Sequence, residues 1–116
     1  MASVKIERLN HAFQEEISMI LMTEIKDEDI KFVTITGVDT TSDLSYAKVY
    51  FTVLDDTKKE EVLKSLNKAA NFIEISLSKK IDIRKMPQIS FHYDNSYEYG
   101  KSIEEKIKEI HDKENK

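Results

Sequence analysis

The chain has 116 residues, of which 40% are hydrophobic and 34% are charged, and its formal net charge is −4 at pH 7. This length and composition favour one helix-rich domain with a single modest core and exclude a long disordered chain. Cysteine is absent, which excludes disulfides and thiolate metal sites and is typical of a cytoplasmic protein. No apolar stretch approaches the roughly 20 residues of a membrane span, and the N-terminus lacks the apolar block of a signal peptide.

Charge is distributed unevenly along the chain. The segment 58–85 carries eight basic and four acidic residues, a net charge of +4, whereas the remainder carries 10 bases and 18 acids, a net charge of −8. Binding of a charged partner depends on the local field rather than on the total charge. The basic segment is therefore a candidate nucleic-acid contact on an acidic protein.

The first third of the chain predicts a helix followed by a strand. Apolar residues recur at spacings of three and four between Ile6 and Leu21, which predicts a helix with Ser3 as a candidate cap. The acidic segment 26–29 has no apolar repeat and is typical of a loop. The β-branched run 32–38 then predicts a strand.

A second strand and a second helical region follow. Turn residues occupy 39–43, and residues 46–54 then alternate, with apolar side chains at the odd positions from 47 to 53. The two strands are expected to form a hairpin. Thr57, followed three residues later by Glu60, matches a capping box and predicts the start of the next helix.

Asn71 interrupts the apolar pattern of this second helical region. Asparagine is a weak helix former, yet it tolerates left-handed backbone angles better than any residue except glycine. We therefore expect a bend at Asn71 that divides the region into a helix pair. The pair ends before Pro87, because proline disfavours helix in the residue that precedes it.

A third strand and a last helix complete the pattern. Residues 88–93 alternate and predict a strand that buries Ile89, Phe91 and Tyr93. Asn95 or Ser96 can cap a helix whose apolar face is formed by Ile103, Ile107 and Ile110, and residues 111–116 are a polar, frayed tail. Packing the helices against one three-stranded sheet gives an α+β two-layer domain of order α-β-β-α-(kink)-α-β-α.

Six segments, in this order, resemble the ribosome-binding factor A family over nearly the whole chain. They are EIKD at 24–27, VTITGV at 33–38, DLSYAKVY at 43–50, AANFI at 69–73, IRKMPQISF at 83–91, and YDNS at 93–96 with YG at 99–100. The resemblance implies a type II KH-like fold over residues 1–110, in which a helix-kink-helix with an Ala-x-Gly signature replaces the glycine-rich phosphate loop. Here the kink would be Ala69, Ala70 and Asn71, with asparagine in the place of glycine.

The resemblance also implies a function. Members of this family bind the small (30S) ribosomal subunit or its precursor and assist late maturation of 16S ribosomal RNA, notably in the cold. They have no catalytic activity. We accordingly expect a cytoplasmic monomer that needs no cofactor or metal, contacts no membrane and binds no small-molecule substrate.

By the same resemblance, the basic face of the helix pair and the basic residues near it would contact RNA. Glu28, Asp29 and Glu74 stand where family members often have proline or a base, so these three positions are not expected to contribute. The expected RNA-binding residues are Lys64, Lys68, Lys79, Lys80, Arg84 and Lys85.

Three alternatives remain open at this point. The lysines can form an ordinary solvated face, which is the usual role of charge runs. The protein can be a non-catalytic adaptor that binds another protein through an acidic and apolar surface. A small hydrolase would need a dyad such as His92 with Asp94, but the chain has no phosphate-binding loop, nucleophile elbow or dinucleotide motif.

Overall fold

In the described part of the chain, two helices pack on one sheet in a two-layer arrangement. The computed structural model describes residues 4–30 and 32–95. Its helices and strands are α1 (Val4–Thr23), β1 (Val33–Thr40), β2 (Tyr46–Val53), α2 (Lys59–Lys80) and β3 (Gln88–Tyr93), with 3-10 turns at Glu28–Ile30 and Asp56–Lys58. The α+β class and the three-stranded sheet are confirmed. Ser3, the predicted last helix and the tail lie outside the described residues.

β2 is the central strand of the sheet. It pairs antiparallel with β1 through the hairpin, and it pairs parallel with β3, which α2 connects to it as a crossover. Ala47, Val49 and Phe51 have no exposed surface, and Ile89 and Phe91 stand beside the first two on β3. The predicted alternation is therefore correct, because side chains two residues apart point to the same face of a strand.

The core lies between this face of the sheet and the two helices. Each helix places three fully buried side chains into it: Phe13, Ile17 and Ile20 from α1, and Leu66, Ile73 and Leu77 from α2. Replacement of the buried Phe13 ring by alanine would lower the free energy of unfolding by about 3–5 kcal/mol. The same core holds both helices in place, so surfaces on different segments of the chain are rigidly related to each other.

The start of α2 differs from the prediction. The residue before the helix is Lys58, which has no side-chain capping bond, so the capping box of Thr57 and Glu60 is wrong. Asp55 caps instead, one 3-10 turn earlier, by accepting hydrogen bonds from the backbone N–H of Thr57 at 3.1 Å and from its hydroxyl at 2.7 Å. The carboxylate of Asp55 forms a local turn with the residue two positions on, so the hydroxyl of Thr57 donates to Asp55 and does not cap α2.

The predicted helix pair is a single helix in the structure, and a bend of its axis stays a prediction. α2 runs without interruption through Ala69, Ala70 and Asn71, and Leu44 is the one non-glycine residue with a positive φ in the described part of the chain. Asn71 therefore does not adopt the left-handed angle that we expected. Its side chain is exposed, so its amide is free to contact water, and asparagine at such a site costs only a few tenths of a kcal/mol in helix propensity.

Candidate nucleic-acid interface

The continuity of α2 aligns three of the predicted lysines. At 3.6 residues per turn, Lys64, Lys68 and Lys79 lie within about 60° of one another around the helix axis and extend along about 22 Å of it. All three are exposed. We call this face of α2 the lysine stripe. It offers a row of positive charges of the kind that tracks a phosphate backbone.

Two large apolar side chains are exposed between the charges. Ile75 lies within the lysine stripe and Phe72 at its edge, and they are 50% and 48% exposed. Exposed apolar side chains beside cations give a partner apolar surface to pack against while the lysines meet its phosphates. The lysine stripe thus carries more than solvating charge.

Lys80 does not belong to this row. Its Nζ lies 3.8 Å from Oε2 of Glu24, and the hydroxyl of Ser76 donates to the same oxygen at 2.9 Å. Surface ion pairs of this kind contribute about 0–1 kcal/mol. Here the pair connects the last turn of α2 to the end of α1 and compensates part of the charge of Lys80.

The structure separates Arg84 from Lys85 although they are adjacent in the chain. Lys85 donates from Nζ to the hydroxyl of Ser45 at 3.3 Å and faces a groove of about 760 Å³ between α2 and β3, which Asn67 and Asn71 also line. Arg84 faces a different cavity. The two residues therefore act at different places on the surface.

Arg84 lines a cavity of about 710 Å³, which we call the turn-end cavity because it lies beside the β1–β2 turn. Its lining comes from the first turns of α1, the turn itself and the segment after α2: Lys5, Ile6, Arg8, Leu9, Ser42, Leu44, Ile81, Asp82, Ile83 and Arg84. The charged groups are three bases against one acid. Lys5 and Arg8 were missed in the sequence, where nothing connects them to Arg84.

Leu44, one of the residues that line the turn-end cavity, has a strained backbone conformation. Its φ is 60°, in the left-handed region that leucine rarely adopts. The turn around it is densely hydrogen-bonded: the N–H of Leu44 donates to the carbonyl of Thr41 at 3.0 Å, and the N–H of Ser45 donates at 3.1 Å both to Oδ1 of Asp43 and to the hydroxyl of Thr41. The hydroxyl of Thr41 and the Ser45 N–H hold the pKa of the Asp43 carboxyl below its ordinary value.

The opposite end of the hairpin carries a surface of the other sign. A cavity of about 360 Å³ is lined there by Glu28, Asp29, Phe32, Val53, Leu54, Asp55, Lys58 and Val62. Leu54 is 83% exposed and Phe32 64% exposed. We call this surface the acidic end. Donation from the hydroxyl and N–H of Thr57 holds the pKa of the Asp55 carboxyl below its ordinary value.

Glu74, the third residue set aside in the sequence, has a structural contact. Its Oε1 accepts the N–H of Ile89 at 2.8 Å. β3 is the edge strand on this side of the sheet, and its outward N–H groups need partners. Glu74 therefore joins α2 to the edge of the sheet.

The two residues of the possible hydrolytic dyad point to other partners. Nε2 of His92 lies 2.9 Å from the hydroxyl of Ser90, and Oδ2 of Asp94 accepts the hydroxyl of Thr36 at 2.6 Å. Within the described ranges, no group of three His, Cys, Asp or Glu residues is placed to hold a metal ion, and neither helix has the length and hydrophobicity to cross a membrane.

The family model described as Ribosome-binding factor A matches residues 5–107. Ribosome-binding factor A of Staphylococcus carnosus is 40% identical over 115 residues, which cover 98% of this chain and 100% of that protein. The similarity therefore includes the hairpin, both described helices and all three strands.

Solved structures agree with this at the level of the fold. A crystal structure of ribosome-binding factor A from Thermus thermophilus has a TM-score of 0.71 at 18% identity, over 76% of this chain and 93% of that chain. Coordinates of the Thermus factor fitted into a cryo-EM map of a 30S–ribosome-binding factor A complex have a TM-score of 0.59 at 20% identity, over 82% and 97%. By its sequence and its fold, the chain belongs to the ribosome-binding factor A family.

Proposed function

We propose that this protein is a non-catalytic assembly factor that binds the small ribosomal subunit in the cytoplasm and assists late maturation of 16S ribosomal RNA, including in the cold. It acts as a monomer and needs no cofactor. The observation that carries the proposal is the lysine stripe, in which three exposed lysines and two exposed apolar side chains lie along one continuous helix. Membership of the family and the 30S complex of the Thermus factor support it.

The binding energy would come chiefly from phosphates. Each ammonium group that meets a phosphate releases condensed counterions, so affinity falls steeply with salt and contains little sequence information. A factor that binds one RNA conformer more tightly than another shifts the population toward it without any chemical step. Assistance of RNA folding therefore requires only a surface that fits one conformer better.

Of the predicted set, Lys64, Lys68 and Lys79 carry this contact. Lys80 contributes less because of its pairing with Glu24, and Lys85 less because of its bond to Ser45. Arg84 contributes from the turn-end cavity. The proposal thus keeps all six residues and gives most of the affinity to three of them.

Cosedimentation with mature and immature small subunits at two salt concentrations tests the proposal. The variant Lys64→Glu/Lys68→Glu/Lys79→Glu should stay in the supernatant. Loss of three phosphate contacts should reduce the slope of log affinity against log salt by roughly 2 to 3. The matched comparison is Lys64→Glu/Lys68→Glu with Lys26→Glu/Lys48→Glu, which changes the net charge equally at two exposed lysines outside the sites described and should pellet like the parent. Equal behaviour of these two double variants would refute the lysine stripe as the RNA contact.

The acidic end supports a second candidate, a protein adaptor. Phe32 and Leu54 expose large apolar surfaces beside three carboxylates, a combination suited to a basic protein partner. This candidate predicts that Phe32→Ser/Leu54→Ser abolishes pelleting and that salt weakens pelleting less steeply than it weakens an RNA contact, because apolar burial supplies part of the affinity. The RNA contact predicts pelleting unchanged in that variant.

A further inference from the structure

The turn-end cavity has features that the lysine stripe does not explain. It brings together Lys5, Arg8 and Arg84, two bases from the start of α1 and one from the segment after α2. Between them lies an apolar wall to which Leu44, Ile81 and Ile83 contribute. A concave site with apolar walls and a few charged groups at its rim is the usual form of a small-ligand site, and its volume of about 710 Å³ is within the usual range.

The charges select the class of ligand. Against the three bases the lining contains one acid, Asp82, so an anionic group is attracted. The cavity at the acidic end gives the internal comparison, since Glu28, Asp29 and Asp55 there face a single base, Lys58. A phosphate is therefore favoured at the turn-end cavity and repelled at the other.

The apolar wall includes a residue, Leu44, whose backbone conformation is energetically unfavourable. Glycine or asparagine would adopt its left-handed angle with less strain, and strained residues cluster at functional sites. The turn that holds the angle is itself fastened to the chain just beyond the cavity, because the carbonyl of Ser45 accepts the N–H of Gln88 at 3.0 Å and its hydroxyl accepts from Lys85. The leucine side chain thus has a rigid position in the wall.

We infer that the turn-end cavity binds one unpaired nucleotide of the RNA. The base packs against Leu44, Ile81 and Ile83, and its flanking phosphates meet Lys5, Arg8 and Arg84. A paired base cannot enter, because its flat faces and its pairing edge are already occupied in the stem, whereas an unpaired base can be turned outward. The inference rests on the proposed RNA binding and adds to it a preference for RNA with an unpaired nucleotide.

Two RNA hairpins test it, one with a fully paired stem and one with the same stem carrying a single unpaired adenosine. The full-length protein should bind the second roughly tenfold more tightly, the ratio expected when one base buries a modest apolar area against aliphatic side chains. Leu44→Asn keeps a residue that tolerates the left-handed angle and removes the apolar wall. It should abolish the preference and leave affinity for the paired hairpin unchanged.

A second variant keeps the test decisive if Leu44→Asn unfolds. Arg8→Gln/Arg84→Gln alters two exposed side chains and should weaken binding of the hairpin with the unpaired adenosine more than that of the paired one. Lys64→Gln, in the lysine stripe, is the control and should weaken both hairpins by the same factor. Equal affinity of the parent protein for the two hairpins, or an equal effect of the cavity variants on both, overturns the inference and leaves the proposed function standing. Failure to bind either hairpin refutes both.

Discussion

The two ends of the hairpin are built alike and charged oppositely. At each end an aspartate closes a short turn, Asp43 beside the turn-end cavity and Asp55 at the acidic end, and each accepts hydrogen bonds from residues two positions away. The side chains around the first are mainly basic and those around the second mainly acidic. The fold therefore specifies where the chain turns, while the residues around each turn decide what can bind there.

This polarity has a physical consequence for recognition. On the proposed RNA binding, a phosphate chain that approaches the protein would be attracted to the basic surfaces and repelled by the acidic end, which would limit the orientations of the bound RNA. Negative charge away from the contact thus contributes to selectivity without touching the ligand. Charge changes at the acidic end should accordingly affect which RNA binds.

The largest effect on RNA affinity is expected from reversal of the charge at the acidic end. Glu28→Lys/Asp29→Lys places two bases where phosphates are now repelled, so unrelated RNA should bind more tightly at low salt. Two added phosphate contacts should steepen the slope of log affinity against log salt by roughly 2. The measurement is a salt titration with an unrelated single-stranded RNA.

The control for this change is Glu28→Gln/Asp29→Asn, which removes the repulsion without adding contacts. It should raise affinity for the unrelated RNA less and leave the slope as in the parent. A slope in the lysine variant equal to that of the parent would show that the acidic end does not restrict RNA, and the contrast between the two ends would lose its functional meaning.

A smaller effect is expected at Asn71, in the helix that carries the lysine stripe. Because α2 is continuous and Asn71 is exposed, the order of stability should follow helix propensity, with Asn71→Ala above the parent and Asn71→Gly below it. The two variants should differ by about 1 kcal/mol in free energy of unfolding. Urea denaturation measures this, and a glycine variant as stable as the alanine one would restore the bend that the resemblance implied.

The sequence predicted the buried faces of the strands more accurately than the ends of the helices and strands. Alternation over residues 46–53 assigned the buried face of β2 correctly, because a period of two leaves only one choice of face once the apolar set is known. The end of β1 and the start of α2 were placed less well. Before α2, Asp55 and Thr57 are both suitable capping residues, and the choice between them depends on the path of the chain after β2.

The candidate site could be assembled from the sequence only where it lies within one helix. Lys64, Lys68 and Lys79 share a face by helical periodicity alone, so the sequence suffices to find them. Lys5 and Arg8 are about 80 residues away from Arg84 in the chain, and only the packing of α1 beside the segment after α2 brings them to one cavity. The left-handed angle of Leu44 was equally invisible, because turn sequences favour glycine or asparagine there.

The smallest effect concerns the two aspartate turns in acid. Their carboxyls have a folded-state pKa below the unfolded value, Asp43 chiefly through the Thr41 hydroxyl and Asp55 chiefly through the Thr57 hydroxyl. Each therefore contributes stability that is complete above about pH 4 and is lost as the pH falls through the folded-state pKa. Both groups are exposed, so the contributions are small.

Asp43 should nevertheless contribute more than Asp55, since its carboxyl accepts hydrogen bonds from two residues, Thr41 and Ser45, whereas that of Asp55 accepts from Thr57 alone. Urea midpoints at about pH 6 and about pH 3 should fall less for Asp43→Asn than for the parent, because the variant has no carboxyl to protonate. If Asp55→Asn reduces the acid response as much as Asp43→Asn, the second donor residue at Asp43 adds nothing to the shift, and the two turns are equivalent in energy as well as in form.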